Sequence, residues 1–389
     1  MAAPSKAFET GRVVILSIGH FIHDTYPAFL APLIPILKAK LALSNALAGS
    51  LATFLRSSSL FQPFIGYMAD RTSARWLVVT APATTAVFMS LVGVAPSYAL
   101  MVPLLALTGL SHAAYHAPAP AMIAHVSGER VGKGMSLFMM GGELGRAAGP
   151  LVIVAAIGWF GLEHSYLVAV PGLFASVVMA RILEPFARPA ERGDAFALRA
   201  ILAERRRPLG FLLAFISVRA ILVGSVTVFT PAYLNARGMT LAQAAAGYAL
   251  LELAGAGGAL AGGTLSDRLG RRQTLIALQL FLVPFFYALA AGPDAWIVPL
   301  LALTGGLIFG GTPVILALVQ EMLPEARSTA SGLYFSLNYL ATGMAAILFG
   351  SVADALGIQR AFALLAAIPM LTVPLAMLLP ARPAPSKTL

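Results

Sequence analysis

The chain has 389 residues, 59% of them hydrophobic and 11% charged, with a net charge of +10 and a mean hydropathy of +0.84. A soluble domain carries about 25% charged residues, so a water-covered surface is excluded and lipid must cover most of this one. There is no cysteine, which removes disulfide and thiolate chemistry.

A helix crossing the hydrocarbon core needs about 20 apolar residues. Met1–Gly11 shows no cleavable signal pattern, so the first apolar run, 13–37, predicts a spanning helix. It carries Gly19-His20-Phe21-Ile22-His23-Asp24, then Pro27, Pro32 and Pro35. The second run, 45–69, holds Arg56 and ends in Gly66-Tyr67-Met68-Ala69-Asp70-Arg71. Runs 76–95 and 98–124 follow, the latter with His112, Tyr115, His116, Pro118 and Pro120. The fifth run, 132–159, places Glu143 and Arg146 among glycines, and the sixth covers 164–183. A charged stretch, 184–207, ends in Arg205-Arg206-Arg207. Beyond it lie runs 208–234 with Arg219 and Pro231, and 241–266 with Glu252 and Gly263. The last four are 273–291, 295–320 with Pro313, 328–352 with Asn338, and 360–380.

Twelve runs split six and six predict an all-α integral membrane protein of two six-helix bundles, 1–183 and 208–389, joined by a cytoplasmic linker, 184–207. With the N-terminus inside, 19 Lys or Arg fall in cytoplasmic segments and four (Lys38, Lys40, Arg237, Arg360) fall outside. That bias predicts a multi-pass protein of the inner (plasma) membrane with both termini in the cytoplasm. It also explains the basic charge without nucleic acid.

The halves repeat. Gly66-x3-Asp70-Arg71 ends the second run, and Gly263-x3-Asp267-Arg268-Leu269-Gly270-Arg271-Arg272 ends the eighth. Such duplication marks transporters built from two related bundles. The glycines are expected to permit close helix contact, and the Asp-Arg pairs to bridge neighbouring helices at the cytoplasmic face. Gly66, Asp70, Arg71, Gly263, Asp267, Arg268 and Arg271 are thus candidate conformational residues.

This repeated motif resembles the loop motif of the major facilitator superfamily, complete in the second half and degraded in the first. A narrower resemblance rests on Gly19–Asp24, Phe61–Tyr67, Tyr115-His116 and Ser136-x-Phe138-x2-Gly141-Gly142-x2-Gly145-x3-Gly149-Pro150. These are similar to the fosmidomycin-resistance branch, which implies drug/proton antiport of small anionic antibiotics. Glu143 and Arg146 depart from the neutral residues expected there. The glycine stretch of the fifth run also resembles an antiporter motif, and equally suits small-residue packing with a proline kink.

Charge near the bilayer centre costs roughly 2.5–3.5 kcal/mol on insertion scales, so it faces a cavity or a partner. Asp24, Arg56, Glu143, Arg146, Arg219 and Glu252 lie well inside runs, with His20, His23, His112 and His116. His20 and Asp24 share a helical face at i,i+4, as do His112 and His116, while Glu143 and Arg146 can pair at i,i+3. Histidine titrates near neutral pH. Asp24, Glu143, His20 and His116 are therefore candidate proton-coupling residues, unless Asp24 is a satisfied structural contact and Glu143–Arg146 a structural ion pair. Arg56, Arg146, Arg219, Glu252, His23, His112 and Asn338 are candidate substrate-binding residues. Pro27, Pro32, Pro35, Pro118, Pro120, Pro231 and Pro313 fall in spans one, four, seven and ten and are expected to bend them. His125 and His164 are expected to be solvated.

The expected function is secondary active transport, as proton-coupled efflux of a small anionic or amphiphilic compound such as an antibiotic. Proton-linked uptake of an organic anion such as a carboxylate is the alternative. Divalent metal-ion transport, through ligands from His20, His23, Asp24, His112 and His116, is a third reading. No nucleophile, Walker or zincin motif is present, so neither an enzyme nor a cofactor is expected. The expected partners are the substrate, protons and the lipid bilayer, and the expected state is a monomer.

Overall fold

The computed structural model describes residues 8–62, 64–65, 75–128, 131–183, 205–323 and 327–380. All its regular elements are helical. In lipid every backbone amide must be satisfied within its own segment, which selects helices for apolar runs.

The first span is α1 (Thr10–Thr25), a 3-10 turn (Pro27–Phe29) and α2 (Leu30–Leu41). Then come α3 (Asn45–Ser57), α4 (Arg75–Val92), α5 (Tyr98–His116), α6 (Ala119–Val126), α7 (Val131–Phe160) and, after a 3-10 stretch Leu162–Ala169, α8 (Val170–Ile182). The second half has α9 (Arg206–Ala236), α10 (Leu241–Leu269), α11 (Arg271–Ala291), α12 (Ile297–Met322), α13 (Arg327–Leu356), α14 (Ile358–Leu364) and α15 (Ala367–Met377). Eleven helical stretches among the described residues are long and apolar enough to cross a membrane. The remaining expected span, the second, is seen as α3 followed by a 3-10 turn, Ser58–Phe61.

The prolines act unequally. Spans one and four are interrupted, at Pro27 just after Asp24 and at Pro118 just after His116. Pro231 and Pro313 instead lie inside continuous helices, α9 and α12. The expected breaks thus form in the first half, close in sequence to Asp24 and His116.

By contacts the chain divides into two compact units. Unit one is Met1–Ala42, Phe54–Ala190 and Thr240–Ala249; unit two is Leu43–Thr53, Glu191–Met239 and Leu250–Leu389. In unit one α1 packs along α7, and α4 packs on α5 and α8. In unit two α9 packs on α13 and α15, and α11 packs on α12 and α15. The first turns of α3 group with unit two. There the Asp354 carboxylate accepts hydrogen bonds from the Asn45 and Ala46 amides at 2.7 and 2.8 Å, capping the start of α3.

The repeated loop motif is described in its second copy only; Gly66, Asp70 and Arg71 lie outside the described residues. Gly270, at φ +92°, makes the turn between α10 and α11, a conformation that favours glycine. The ion pair bridging this corner is made by Arg271 rather than Arg268. Arg271 donates to Asp267 Oδ1 at 2.6 Å and to Glu321 Oε1, at the end of α12, at 2.9 Å. Asp267 stands near the end of α10 and Arg271 starts α11, so the pair spans the corner, and Glu321 adds a link to α12. The close helix contact expected at Gly263 is also displaced. A Cβ there would meet nothing nearer than Pro313 at 3.9 Å, whereas one on Gly258 or Gly262 would lie 2.1 Å from the Gly306 carbonyl oxygen or 2.2 Å from that of Gly310. The packing stripe of α10 runs through those two glycines, one residue off the motif.

Candidate substrate and proton site

The site begins with a glycine stripe. Gly141, Gly145 and Gly149 recur every four residues on α7 and share a face. A Cβ on them would lie 2.3, 2.3 and 2.4 Å from the carbonyl oxygens of Ser17, Phe21 and Thr25 on α1. No side chain fits, so the two backbones lie against each other. Gly142 flanks the stripe, and a Cβ there would come within 2.5 Å of His20 Nε2 and 3.1 Å of Asp24 Oδ2. This approach brings Glu143 and Arg146 of α7 to the polar face of α1.

Asp24 is the hub and is 2% exposed. Its Oδ1 lies 3.0 Å from His116 Nε2, and its Oδ2 lies 3.3 Å from His20 Nε2 and 3.4 Å from Arg146 Nη1. Arg146 also pairs with Glu143. Three elements, α1, α5 and α7, therefore bring together all four candidate proton residues with Arg146. His20 is pinned from behind: its Nδ1 is 2.7 Å from the Phe138 carbonyl oxygen, and its ring stacks on Phe138 at 4.0 Å. A carbonyl only accepts, so Nδ1 carries a proton. The other nitrogen, Nε2, faces a carboxylate oxygen.

Behind this pair lies a second layer. His23 is fully buried; its ring stacks on Tyr115 at 4.4 Å and lies parallel to His112 at 5.4 Å. His112 and His116, one turn apart on α5, have ring centres 4.0 Å apart. His23 Nδ1 is 3.3 Å from Thr85 Oγ1. Thr85 donates to Ser111 Oγ at 2.8 Å, and Ser111 donates to the Ala81 carbonyl at 3.1 Å. Tyr115 Oη donates to the Leu16 carbonyl at 3.1 Å. Thr85 and Ser111 were not singled out from the sequence, because a hydroxyl in an apolar run carries no positional signal. Tyr115, Phe138 and Gly142 stood in the motif stretches, but nothing in the sequence tied them to His20, His23 or Asp24.

The other candidates stand on other helices. Arg56 is half-buried on α3 in unit one. In unit two, Arg219 is 4% exposed on α9; its guanidinium donates to the Ile308 carbonyl and, at 3.1 Å, to Thr312 Oγ1, both on α12. Glu252 is buried on α10. Asn338 is half-buried on α13, and its backbone carbonyl accepts from Thr342. The helical pairing expected of His20 with Asp24 is present, and Arg146 joins it because the glycine stripe brings α7 within reach. His125 and His164 are exposed.

The sequence model of the Major Facilitator Superfamily matches residues 16–346. The chain belongs to this superfamily. It is therefore a multi-pass membrane transporter and not an enzyme. Among relatives, it is 25% identical over 378 residues to the fosmidomycin resistance protein of Escherichia coli (strain K12), covering 95% of this chain and 93% of that one. It is 24% identical to the multidrug resistance protein MdtG of Enterobacter lignolyticus (strain SCF1), covering 84% and 81% of the two chains. A solved bacterial homologue of the lysosomal transporter Spinster, inward-facing and unoccupied, superposes with a TM-score of 0.81 at 13% identity, covering 96% of this chain and 97% of that one. The D-xylose-proton symporter superposes with a TM-score of 0.73 at 14% identity, covering 96% and 99%. Superfamily membership and the resemblance to the fosmidomycin-resistance branch agree with the sequence reading.

Proposed function

We propose that this transporter exports a small anionic or amphiphilic compound, such as an antibiotic, in exchange for protons. The observation that carries the reading is the buried Asp24 carboxylate set among His20, His116 and Arg146. Asp24 is the coupling carboxylate, with His20 and His116 as its proton partners and Glu143 as a second carboxylate linked through Arg146. Arg56, Arg146 and Arg219 supply positive field for the substrate, with Glu252, His23, His112 and Asn338 as further candidate contacts. The relatives named for resistance to fosmidomycin and to multiple drugs support the export direction. The bundle boundaries at 184 and 207, the cytoplasmic termini and the monomeric state belong to the same reading.

One observation favours the alternative, proton-linked uptake of an organic anion. Arg146 is shared by Asp24 and Glu143. Protonating either carboxylate releases guanidinium charge, so a proton and an anion would bind together, as symport requires. Proteoliposome measurements separate the two. Adding substrate moves protons with it in symport and against it in antiport.

The coupling assignment is tested by Asp24→Asn, a near-isosteric mimic of the protonated acid. Uphill transport driven by a pH gradient should disappear, while substrate binding and counterflow exchange persist. A variant that still concentrates substrate with a pH difference removes Asp24 from the role, and Glu143 is next in line.

A further inference from the structure

We infer that His23, Asp24, His112 and His116 form a binding site for one divalent transition-metal ion of the zinc, cobalt or nickel type. Each residue offers one nitrogen or carboxylate oxygen, and these four atoms all lie within 4.8 Å of one another. A tetrahedral ion with bonds of about 2.0–2.1 Å needs ligand atoms about 3.3 Å apart. Modest side-chain rotation closes that gap. Three imidazoles and one carboxylate suit the borderline divalent metals and do not suit calcium or magnesium, which take oxygen shells.

Two features beyond the clustering point to a cation. The first is the tautomer of His23. The Thr85 hydroxyl donates to Ser111 Oγ at 2.8 Å. Thr85 Oγ1 can therefore only accept from His23, which fixes the ring proton on Nδ1. The lone pair is left on Nε2, and that atom is buried without a hydrogen-bond partner. A buried lone pair without a donor is costly, and a metal ion satisfies it. The Thr85 contact is the kind of outer hydrogen bond that orients a ligating histidine. The second feature is charge. Arg146 faces the site from α7, but it is paired with Glu143. With neutral imidazoles, Asp24, Glu143 and Arg146 sum to one negative charge, so the pocket attracts a cation despite the guanidinium. His20 stays outside the set, held on Phe138.

The test is direct binding and needs no transport assay, so its failure leaves the proton-exchange reading untouched. Full-length protein in detergent, with any affinity tag cleaved and metal stripped by chelator, is titrated with Co2+ and followed by its visible ligand-field bands. One Co2+ per chain with intense four-coordinate bands, displaced by one equivalent of Zn2+, is expected. His23→Gln and His112→Gln should each weaken binding at least tenfold. Thr85→Val, which removes only the orienting bond, should weaken it roughly ten- to hundredfold. His164→Gln, on the exposed surface, should change nothing. Absence of the bands in the wild type overturns the site, as does unchanged affinity in both histidine variants. If those variants fail to fold, X-ray absorption of the zinc-loaded wild type decides. Imidazole nitrogens at about 2.0–2.1 Å support the site, and an oxygen-only shell overturns it.

Discussion

At the scale of single residues, the chemistry concentrates on Asp24, which touches two imidazoles and one guanidinium. Removing one member of a buried charge pair costs about 3–5 kcal/mol when the partner is stranded. Asp24→Ala should therefore destabilise the fold, and Asp24→Asn, which keeps shape and polarity, is the informative change. Arg146 differs, since its side chain is 39% exposed. Arg146→Gln should lower the melting temperature less than Asp24→Ala, because Asp24 keeps His20 and His116 beside it. It should weaken an anionic substrate about ten- to hundredfold, the usual loss for a charge-assisted hydrogen bond, and weaken a neutral analogue less. Equal loss for both ligands in equilibrium binding would assign Arg146 a structural role.

At the scale of elements, the stripe Gly141-Gly145-Gly149 sets how near α7 comes to α1. Gly145→Ala forces a methyl towards the Phe21 carbonyl oxygen, and overpacking of this kind costs about 1–3 kcal/mol. Its melting temperature and its transport should both fall. Gly158→Ala, further along α7, meets nothing within 4 Å and should be silent. Thermal unfolding in detergent distinguishes the two, and equal behaviour would show that the stripe does not position the site. The corner between α10 and α11 gives a graded expectation. Asp267 is 66% exposed, and such surface pairs contribute about 0–1 kcal/mol. Arg271 also binds the more buried Glu321. Arg271→Gln should therefore slow conformational cycling more than Asp267→Asn, with substrate affinity near normal in both. Exchange rates measured beside equilibrium binding check the order, and lost affinity with unchanged exchange would contradict a role in cycling.

At the scale of the whole molecule, the charge bias makes a prediction that the absence of cysteine makes easy to read. A single cysteine introduced as His164→Cys should react with a membrane-impermeant maleimide in intact cells. One introduced as Arg205→Cys should react only after permeabilisation. The reverse pattern would invert the topology. Each unit carries an arginine within a span, the half-buried Arg146 on α7 and the buried Arg219 on α9, and Arg146 lies beside the carboxylates Asp24 and Glu143. Arg219 is held by Ile308 and Thr312 on α12.

The sequence by itself determined the helical membrane class, the two-fold repeat and the polar inventory of the spans. These follow from hydropathy, from motif spacing and from the rarity of charge in apolar runs, all of which are local properties. It also determined the i,i+3 and i,i+4 pairs, His20 with Asp24, His112 with His116 and Glu143 with Arg146, because helix geometry fixes their neighbourhood. Tertiary structure alone decided that these pairs form one cluster and that Asp24 meets Arg146. It also placed Thr85 and Ser111 behind His23, and set the α10 packing stripe one residue away from the motif glycine. Such contacts join residues up to 122 positions apart, as in Asp24 with Arg146. They depend on how closely two backbones approach and on how each helix is rotated. A glycine in the sequence permits that approach, but only the packed partner shows which glycine uses it.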